Sequence, residues 1–394
     1  MNNTRALYAD TVIDGYRTIP QGVVLIADGR ILAVGPRNHI SIPPGAASTD
    51  YGPLILSPGF LDIHIHGARA KTVDDSLEDA LFLTEYAAQH GNTGILITST
   101  VLSGAIHGKK AMEHQAKNGC TGAVIEGIHM EGPFLSPKDI PGMAQLDKDL
   151  IEPSVEAFAP FWDAAGDAIR IVAMGIDRPG AFPLARHLRD KGILVACAHT
   201  KAGYDTMLAA MEHGFTHITH LYNIMTGLHH RRPGVTGAAL TNDMLSCELI
   251  CDTYHVHPAA MEIAIRCKGI DNIAMVSDHL MGGLPDGDHY WESGAGWITV
   301  TDGQTRIKGA DPTKEGTMAG SCYLQDKGIH TLTHVLGYPI HQAVRMATVN
   351  PAKMAGLSHR IGSLEVGKDA NITVFDEDIN IVETIVRGNT VYRA

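Results

Sequence analysis

Short apolar runs along this chain end, one after another, on side chains that bind metals. The run that opens at Gly59 closes on His64-Ile65-His66, and later runs close on a glutamate, two histidines and an aspartate. Residues two apart in a strand point the same way, so His64 and His66 are expected to project together. Imidazoles and carboxylates are ligands of first-row divalent metals, zinc foremost. The pattern predicts a metal site built from several strand ends. Its candidate members are His64, His66, Glu131, His199, His220 and Asp278.

Strand-like and helix-like segments alternate between residues 57 and 280, which is typical of parallel strands joined by helices. The predicted strands are residues 59–66, 95–100, 123–131, 169–176, 193–199, 216–220, 247–255 and 273–278. Predicted helices between them include residues 77–89, 155–165, 204–213 and 258–268. We therefore expect an α/β fold, a (β/α)8 TIM-type barrel whose active site lies at the carboxyl ends of its strands. A doubly wound open sheet is the alternative, although no glycine fingerprint follows the first strand.

Both ends of the chain contain short β-type runs instead. These are residues 11–13, 22–27 and 31–34 near the start, and 372–375, 379–386 and 391–392 near the end. Neither end is long enough to bury a core alone. We expect residues 1–56 and 358–394 to form one small β-sandwich domain beside a barrel of residues 57–357.

Composition and charge exclude several classes of protein. Of 394 residues, 44% are hydrophobic and 19% are charged, which indicates a large folded core. A net charge of −12 argues against general nucleic-acid or membrane-surface binding. The first residues do not resemble a signal peptide, and no apolar run approaches the roughly 20 residues of a membrane span. Six cysteines without CxxC spacing predict reduced thiols, and we expect a cytoplasmic location.

Longer motifs surround the candidate ligands. They occupy residues 58–67, 129–134, 198–200, 219–223, 229–234, 252–256, 277–278, 350–352 and 362–370. Together they resemble the amidohydrolase superfamily and, within it, the N-acetylglucosamine-6-phosphate deacetylases. The Glu-Gly-Pro, His-Leu-Tyr-Asn and Arg-Pro-Gly motifs are much more specific than the His-x-His pair.

This resemblance implies a divalent-metal hydrolase with one or two ions per chain, zinc being expected. It places Glu131, His199 and His220 around one ion. His64 and His66 would hold a second ion, sharing Glu131 and lying near Asp278. A metal ion of this kind makes water a stronger nucleophile near neutral pH.

The resemblance also implies catalytic roles for two residues. Asp278 would act as general base and then as general acid. His255 would contact the substrate carbonyl and stabilise the oxyanion. The structural alternatives are a helix cap for Asp278 and a core residue for His255.

Three further polar residues lie close to the ligands in sequence. Asp62 and His129 each precede a ligand by two residues, so we expect them one layer deeper in the barrel, supporting the site. His217 precedes His220 by three, so we expect it on the opposite face and outside the site.

Arg231 is the residue that the resemblance assigns to the phosphate of a sugar phosphate. A guanidinium binds phosphate through two parallel hydrogen bonds, and His230 and Asn223 would assist it. The alternative is a solvated basic loop. In the resembling family this loop can reach across a dimer interface, so we expect a homodimer with composite pockets.

The expected reaction is hydrolysis of N-acetylglucosamine 6-phosphate to glucosamine 6-phosphate and acetate. Two departures from the family pattern fall where the substrate is expected to be held, and they leave its identity open: Gly142-Met143-Ala144 replaces Gly-Ala-His, and His279 follows Asp278 in place of alanine. The alternatives are N-acetylgalactosamine 6-phosphate, an unphosphorylated N-acetylamino sugar or an N-acyl amino acid. A non-enzymatic barrel would not need Asp278, and a dihydroorotase-type hydrolase is disfavoured because Glu131 stands where many such enzymes have a carbamylated lysine.

Overall fold

A computed structural model of the protein describes residues 4–136, 150–292, 294, 296–309 and 316–394. The predicted departure at Gly142, Met143 and Ala144 lies outside these residues. Within the described part of the chain, no helix is both long and apolar enough to cross a membrane.

Five strands lie in the first part of the chain, and most of them contain several buried residues. They are β1 (Arg5–Ile13), β2 (Thr18–Ala27), β3 (Arg30–Pro36), β4 (Ala47–Asp50) and β5 (Ile55–Pro58). β1 pairs with β2 antiparallel, with Leu7 opposite Val24. Both side chains are fully buried in one apolar cluster on this sheet. The apolar face must therefore be covered by the rest of the protein.

The central part of the chain alternates strands and helices. Its elements are β6 (Phe60–Ile65), β7 (Gly67–Ala68), β8 (Lys71–Thr72), α1 (Leu77–Gln89), β9 (Asn92–Ser99), α2 (Leu102–Asn118), β10 (Val124–Glu131), α3 (Val155–Ala165), β11 (Ile169–Met174), α4 (Ala181–Asp190), β12 (Leu194–Cys197), α5 (Tyr204–Glu212), β13 (Phe215–Ile218), α6 (Gly234–Thr241), β14 (Ser246–Ile250), α7 (Pro258–Lys268) and β15 (Ile273–Val276). Short 3₁₀ helices cover Gly166–Ala168 and Ile270–Asn272.

Eight parallel strands form the barrel in the order β6-β9-β10-β11-β12-β13-β14-β15. The first and last strands meet where Asp278 N–H donates to His64 C=O at 2.9 Å and Ile65 bridges His279. β9 and β10 are buried along their whole length, as expected for strands covered on both faces. The predicted TIM-type barrel is confirmed.

Seven of the eight barrel strands end earlier than predicted, whereas β10 ends at Glu131 as predicted. β12, β13 and β15 stop two residues before His199, His220 and Asp278, which adopt φ angles of 36°, 30° and 50°. These left-handed values are incompatible with an extended strand. β14 stops at Ile250, five residues before His255, because the Asp252 carboxylate accepts the N–H groups of Tyr254 and His255 and turns the chain.

A small sheet and a set of helices follow the last barrel strand. They are β16 (Gly287–Trp291), β17 (Gly296–Thr301), β18 (Gln304–Ile307), α8 (Gln325–His330), a π-helical turn (Thr331–Val335), α9 (Ile340–Ala347) and α10 (Val349–Met354). The chain ends with β19 (Ile372–Phe375), β20 (Ile381–Val386) and β21 (Asn389–Arg393).

The two ends of the chain share one sheet, which we call the terminal sheet. Its strand order is β21-β20-β19-β5-β1-β2-β3, with β4 beside β1. The small domain built from both termini is thus confirmed, with its eight strands hydrogen-bonded as one continuous sheet. The exact domain boundaries stay a prediction, and β5 runs across the first of them to Pro58. Arg360 ties the sheet to the barrel through ion pairs with Asp369 and Glu126.

Candidate metal centre

Six predicted ligands meet at the carboxyl end of the barrel, and we call them the ligand cluster. Its members are His64, His66, Glu131, His199, His220 and Asp278. Four are almost completely buried, whereas the His66 and Asp278 side chains are 13% and 17% exposed. The cluster is therefore approached from the side of His66 and Asp278.

Glu131 divides the ligand cluster into two groups, because each of its oxygens faces a different pair of histidines. Oε1 lies 2.8 Å from Nε2 of His220 and 3.2 Å from Nε2 of His199. Oε2 lies 3.1 Å from Nε2 of His66 and 3.5 Å from Nε2 of His64. One carboxylate thus lies between two sets of imidazole nitrogens.

The spacing of these atoms fits a bound divalent cation. Nε2 of His199 lies 3.1 Å from Nε2 of His220, and the corresponding His64–His66 distance is 3.3 Å. Tetrahedral ligands about 2.0–2.1 Å from a zinc ion are separated by about 3.3–3.4 Å. Within each of the groups Glu131–His199–His220 and His64–His66–Asp278, the donor atoms all lie within 4.8 Å of one another. The described residues therefore contain clusters able to hold a divalent metal.

Charge in the ligand cluster favours a cation. Burial disfavours the charged forms of His66 and Asp278. Hydrogen bonds to Asp278 and Glu131 nevertheless raise the pKa of His66 to about 9. The charges of His64 and His66 outweigh the burial of Asp278 and lower its pKa to about 2. Asp278 is accordingly an ionised carboxylate at neutral pH, able to accept a proton.

The backbone at three ligands is strained. His199, His220 and Asp278 all have positive φ angles, which are unfavourable for side chains with a Cβ atom. Such strain is concentrated at functional sites, where surrounding contacts hold it in place. Here it turns each side chain from its strand end into the barrel mouth.

His255 lies beside the ligand cluster on the loop after β14. Its Nδ1 lies 2.6 Å from Oδ2 of Asp252, which also accepts a hydrogen bond from Ser321 at 3.3 Å. Burial opposes protonation, but the contact with Asp252 raises the pKa of His255. Sequence reasoning missed this role of Asp252, although it lies three residues before His255.

Asp62 and His129 lie beneath the metal-ligand candidates, as predicted. Asp62 Oδ1 accepts the N–H groups of His64 at 3.1 Å and Ser277 at 3.3 Å, joining the first and last strands. His129 is fully buried, and its Nδ1 lies 2.9 Å from the Ile63 carbonyl oxygen. Burial lowers the pKa of His129 to about 4, so this ring is neutral at physiological pH.

Two expectations about neighbouring histidines are wrong. His217 is fully buried inside the barrel, where its Nε2 lies 3.3 Å from Glu248, because the chain leaves the strand between residues 218 and 220. His279 does not line a substrate pocket. Its ring is fully buried against Tyr86, and Nδ1 lies 2.7 Å from the Gly67 carbonyl oxygen. This residue instead helps to close the barrel.

Residues 229–232, which we call the basic loop, lie on the surface. His229 and Arg232 form a two-residue bridge, and all four residues are exposed. No hydrogen bond or ion pair to a described residue engages the Arg231 guanidinium. Asn223 is half-buried, and its amide donates to the carbonyls of His220 and Leu221. Asn223 is therefore attached to the ligand cluster, whereas the basic loop is not.

Comparison with known proteins fits this arrangement. The sequence model of the amidohydrolase family matches residues 55–391. The chain belongs to the amidohydrolase family. It is 33% identical over 392 residues to N-acetylglucosamine-6-phosphate deacetylase of Bacillus subtilis, covering 97% of this chain and 95% of that protein. It is 30% identical to N-acetylgalactosamine-6-phosphate deacetylase of Escherichia coli O157:H7, covering 92% and 93%.

Solved structures agree with the sequence comparison. N-acetyl-D-glucosamine-6-phosphate deacetylase of Mycobacterium smegmatis, in complex with N-acetyl-D-glucosamine-6-phosphate, matches with a TM-score of 0.87 and 27% identity over 99% of both chains. N-acetylglucosamine-6-phosphate deacetylase of Pasteurella multocida matches with a TM-score of 0.88 and 25% identity, over 99% of this chain and 100% of that chain. The predicted family is confirmed, and this amidohydrolase is an enzyme that hydrolyses carbon–nitrogen bonds.

Proposed function

We propose that this amidohydrolase removes the acetyl group of N-acetylglucosamine 6-phosphate and releases glucosamine 6-phosphate and acetate. The observation that carries the proposal is the ligand cluster, in which Glu131 lies between two imidazole groups and Asp278 faces the open side. Relatives that match nearly the whole chain are deacetylases of this sugar phosphate. Amide hydrolysis requires an activated water, a polarised carbonyl and a proton donor for the amine, and the cluster offers groups for each.

The proposed cofactor is zinc, in two positions that share Glu131. His199 and His220 would complete one position, and His64 and His66 would complete the other next to Asp278. A bound divalent ion would supply Lewis-acid activation of water and of the amide carbonyl. The imidazole nitrogens and carboxylate oxygens form the donor set that zinc prefers.

Asp278 and His255 have distinct proposed roles. Asp278 accepts the proton from the attacking water and then passes it to the amide nitrogen, so that nitrogen leaves as an amine. His255 is held at Nδ1 by Asp252, so its Nε2 is free to contact the substrate carbonyl oxygen. This contact stabilises the negative charge that develops on that oxygen.

The phosphate is assigned to the basic loop. The Arg231 guanidinium is exposed and has no side-chain partner among the described residues, and His230 and Asn223 lie close to it in sequence. We propose that two copies of the chain form a homodimer in which this loop completes the partner's pocket. The expected cytoplasmic location stays a prediction.

A panel of substrates tests the proposal. Acetate release by zinc-reconstituted protein would be measured with N-acetylglucosamine 6-phosphate, N-acetylgalactosamine 6-phosphate and unphosphorylated N-acetylglucosamine. We expect the highest kcat/KM for the first. The galactosamine compound is the second candidate, because one relative at 30% identity acts on it by name. Highest activity on the unphosphorylated sugar would contradict the proposal.

A further inference from the structure

A buried carboxylate beneath the ligand cluster contacts three histidines. Glu248 lies on β14 and has no exposed surface. Its Oε2 lies 2.8 Å from Nδ1 of His64 and accepts the backbone N–H of His220 at 3.1 Å. Its Oε1 lies 3.3 Å from Nε2 of His217. A single side chain therefore connects the first barrel strand with β13 and β14.

The contact with His64 determines which ring nitrogen is available. An ionised carboxylate only accepts hydrogen bonds, so Nδ1 of His64 carries the proton. Nε2 lies 3.3 Å from Nε2 of His66 and 3.5 Å from Glu131, so a metal bound at Nε2 would leave the single ring proton on Nδ1, facing Glu248. A metal ligand requires a free lone pair, and a carboxylate on the far nitrogen fixes the orientation of the ring.

We propose that Glu248 is a positioning residue that holds His64 in the tautomer and orientation required for metal binding. The inference rests on the proposed metal centre and extends it to a residue outside the ligand cluster. The Nδ1 atoms of His199 and His220 have no hydrogen-bond partner among the described residues. Removal of Glu248 should therefore weaken the His64–His66 position more than the His199–His220 position.

The cost of burying Glu248 supports a functional role. A fully buried charge is expensive, and replacing a buried ionic group by an apolar one of similar size is often neutral or even stabilising. Two of the groups that Glu248 contacts belong to proposed metal ligands, namely the ring of His64 and the backbone N–H of His220. Stability alone does not account for a carboxylate at this position.

A third metal ion is the competing interpretation, because His64, His129 and Glu248 also lie within 4.8 Å of one another. The contacts argue against it. Nδ1 of His129 donates a hydrogen bond to the Ile63 carbonyl oxygen at 2.9 Å, so this nitrogen has no free lone pair for a metal ion. All three side chains are fully buried, so no solvent-exposed edge is available for entry. These residues support a metal centre above them.

Metal binding by four full-length variants tests the proposal. Glu248→Gln keeps an acceptor of similar size, Glu248→Met removes the acceptor, and Glu248→Asp withdraws it from His64. Glu126→Gln is the matched control, because Glu126 is a buried glutamate on another barrel strand, β10, and pairs with Arg360. Each protein would be stripped with chelator and titrated with zinc and with cobalt, and the affinity, the ions per chain and the visible cobalt spectrum would be measured.

We expect Glu248→Met to bind one ion about 10–100-fold more weakly, with an altered cobalt spectrum and an unchanged circular dichroism spectrum. Glu248→Gln and Glu126→Gln should bind nearly as the parent does. If Glu248→Met does not fold, Glu248→Asp should show the same selective loss in smaller degree. The proposal would be overturned if Glu248→Met, or Glu248→Asp where Glu248→Met is unfolded, kept the parental metal affinity and cobalt spectrum. An equal loss of affinity in Glu126→Gln would also overturn it, as would a third bound ion that only the Glu248 variants lose. Because no substrate is used, these outcomes are independent of the sugar assignment.

Discussion

The ligand cluster and the basic loop differ in how firmly the fold holds them. Glu131, His64, His199 and His220 are buried, His66 is only 13% exposed, and the donor–acceptor distances from Glu131 to these histidines are 2.8–3.5 Å. The basic loop is exposed, and its Arg231 guanidinium has no partner among the described residues. Groups that carry out chemistry gain from fixed positions in a site that excludes water. Groups that capture a charged substrate can stay solvated until it arrives, so the two regions should respond differently to mutation.

Loss of a buried ligand should have the largest effect. His199→Ala removes one of the imidazoles beside Glu131, so this position should lose its ion and turnover should fall below detection. His114→Ala, an exposed histidine on α2, is the control and should change neither quantity. Metal analysis and acetate release measure both. The double replacement of His64 and His66 by alanine should lower the metal content by about one ion per chain, and unchanged content would make that pair structural.

Asp278→Asn should separate metal binding from catalysis. Asparagine preserves the shape of the side chain but cannot shuttle a proton, so kcat should fall by about 10²–10⁴-fold while the metal content stays near the parental value. Asp243→Asn, at an exposed position, is the matched control. Activity within a few-fold of the parent would remove Asp278 from its assigned role.

Arg231→Ala should affect only the phosphorylated substrate. Loss of a charge-assisted contact costs about 1.5–3 kcal/mol, or about 10–150-fold in kcat/KM. The unphosphorylated sugar should be turned over at nearly the parental rate. Arg232→Ala is the control and should have a smaller effect, since only the first arginine matches the family position. Equal losses on both sugars would show that the loop acts through the fold.

Gly234→Ala should disturb the attachment of the basic loop without reaching the metal. Gly234 has a φ of +66°, and a Cβ atom there would lie 2.5 Å from the Thr226 carbonyl oxygen. We expect a loss of about 1–3 kcal/mol in the free energy of unfolding, measured by urea denaturation, with unchanged metal content. Gly227→Ala in the same segment meets no atom within 4 Å and should be close to neutral. Equal stability of the two variants would contradict the strain argument.

Helices were predicted from the sequence more accurately than strand ends. The predicted bounds of α1, α3 and α7 agree with the structure. Local signals mark these starts, because Ser76 and Ser154 cap α1 and α3, and Pro258 opens α7. Strand ends depend on tertiary contacts. The positive φ angles of His199 and Asp278 are imposed by the site, and alternation of residue types does not reveal them.

Candidate ligands could be found from residue type and spacing, but the groups that support them could not. Glu248 lies in an apolar run and has no motif of its own, and the one available signal was a single charge inside a buried strand. The roles of His217 and His279 depend on where the chain leaves β13 and how the barrel closes. Such contacts join residues far apart in sequence, so no local pattern identifies them.

The most direct test of the central claim is proton NMR of N-acetylglucosamine 6-phosphate incubated with the protein. Zinc-reconstituted protein should convert the acetamide methyl signal into free acetate, with one glucosamine 6-phosphate formed per acetate. Chelator-treated protein should leave the spectrum unchanged until zinc is returned. Persistent turnover by metal-free protein, or no acetate from reconstituted protein, would contradict a metal-dependent deacetylase.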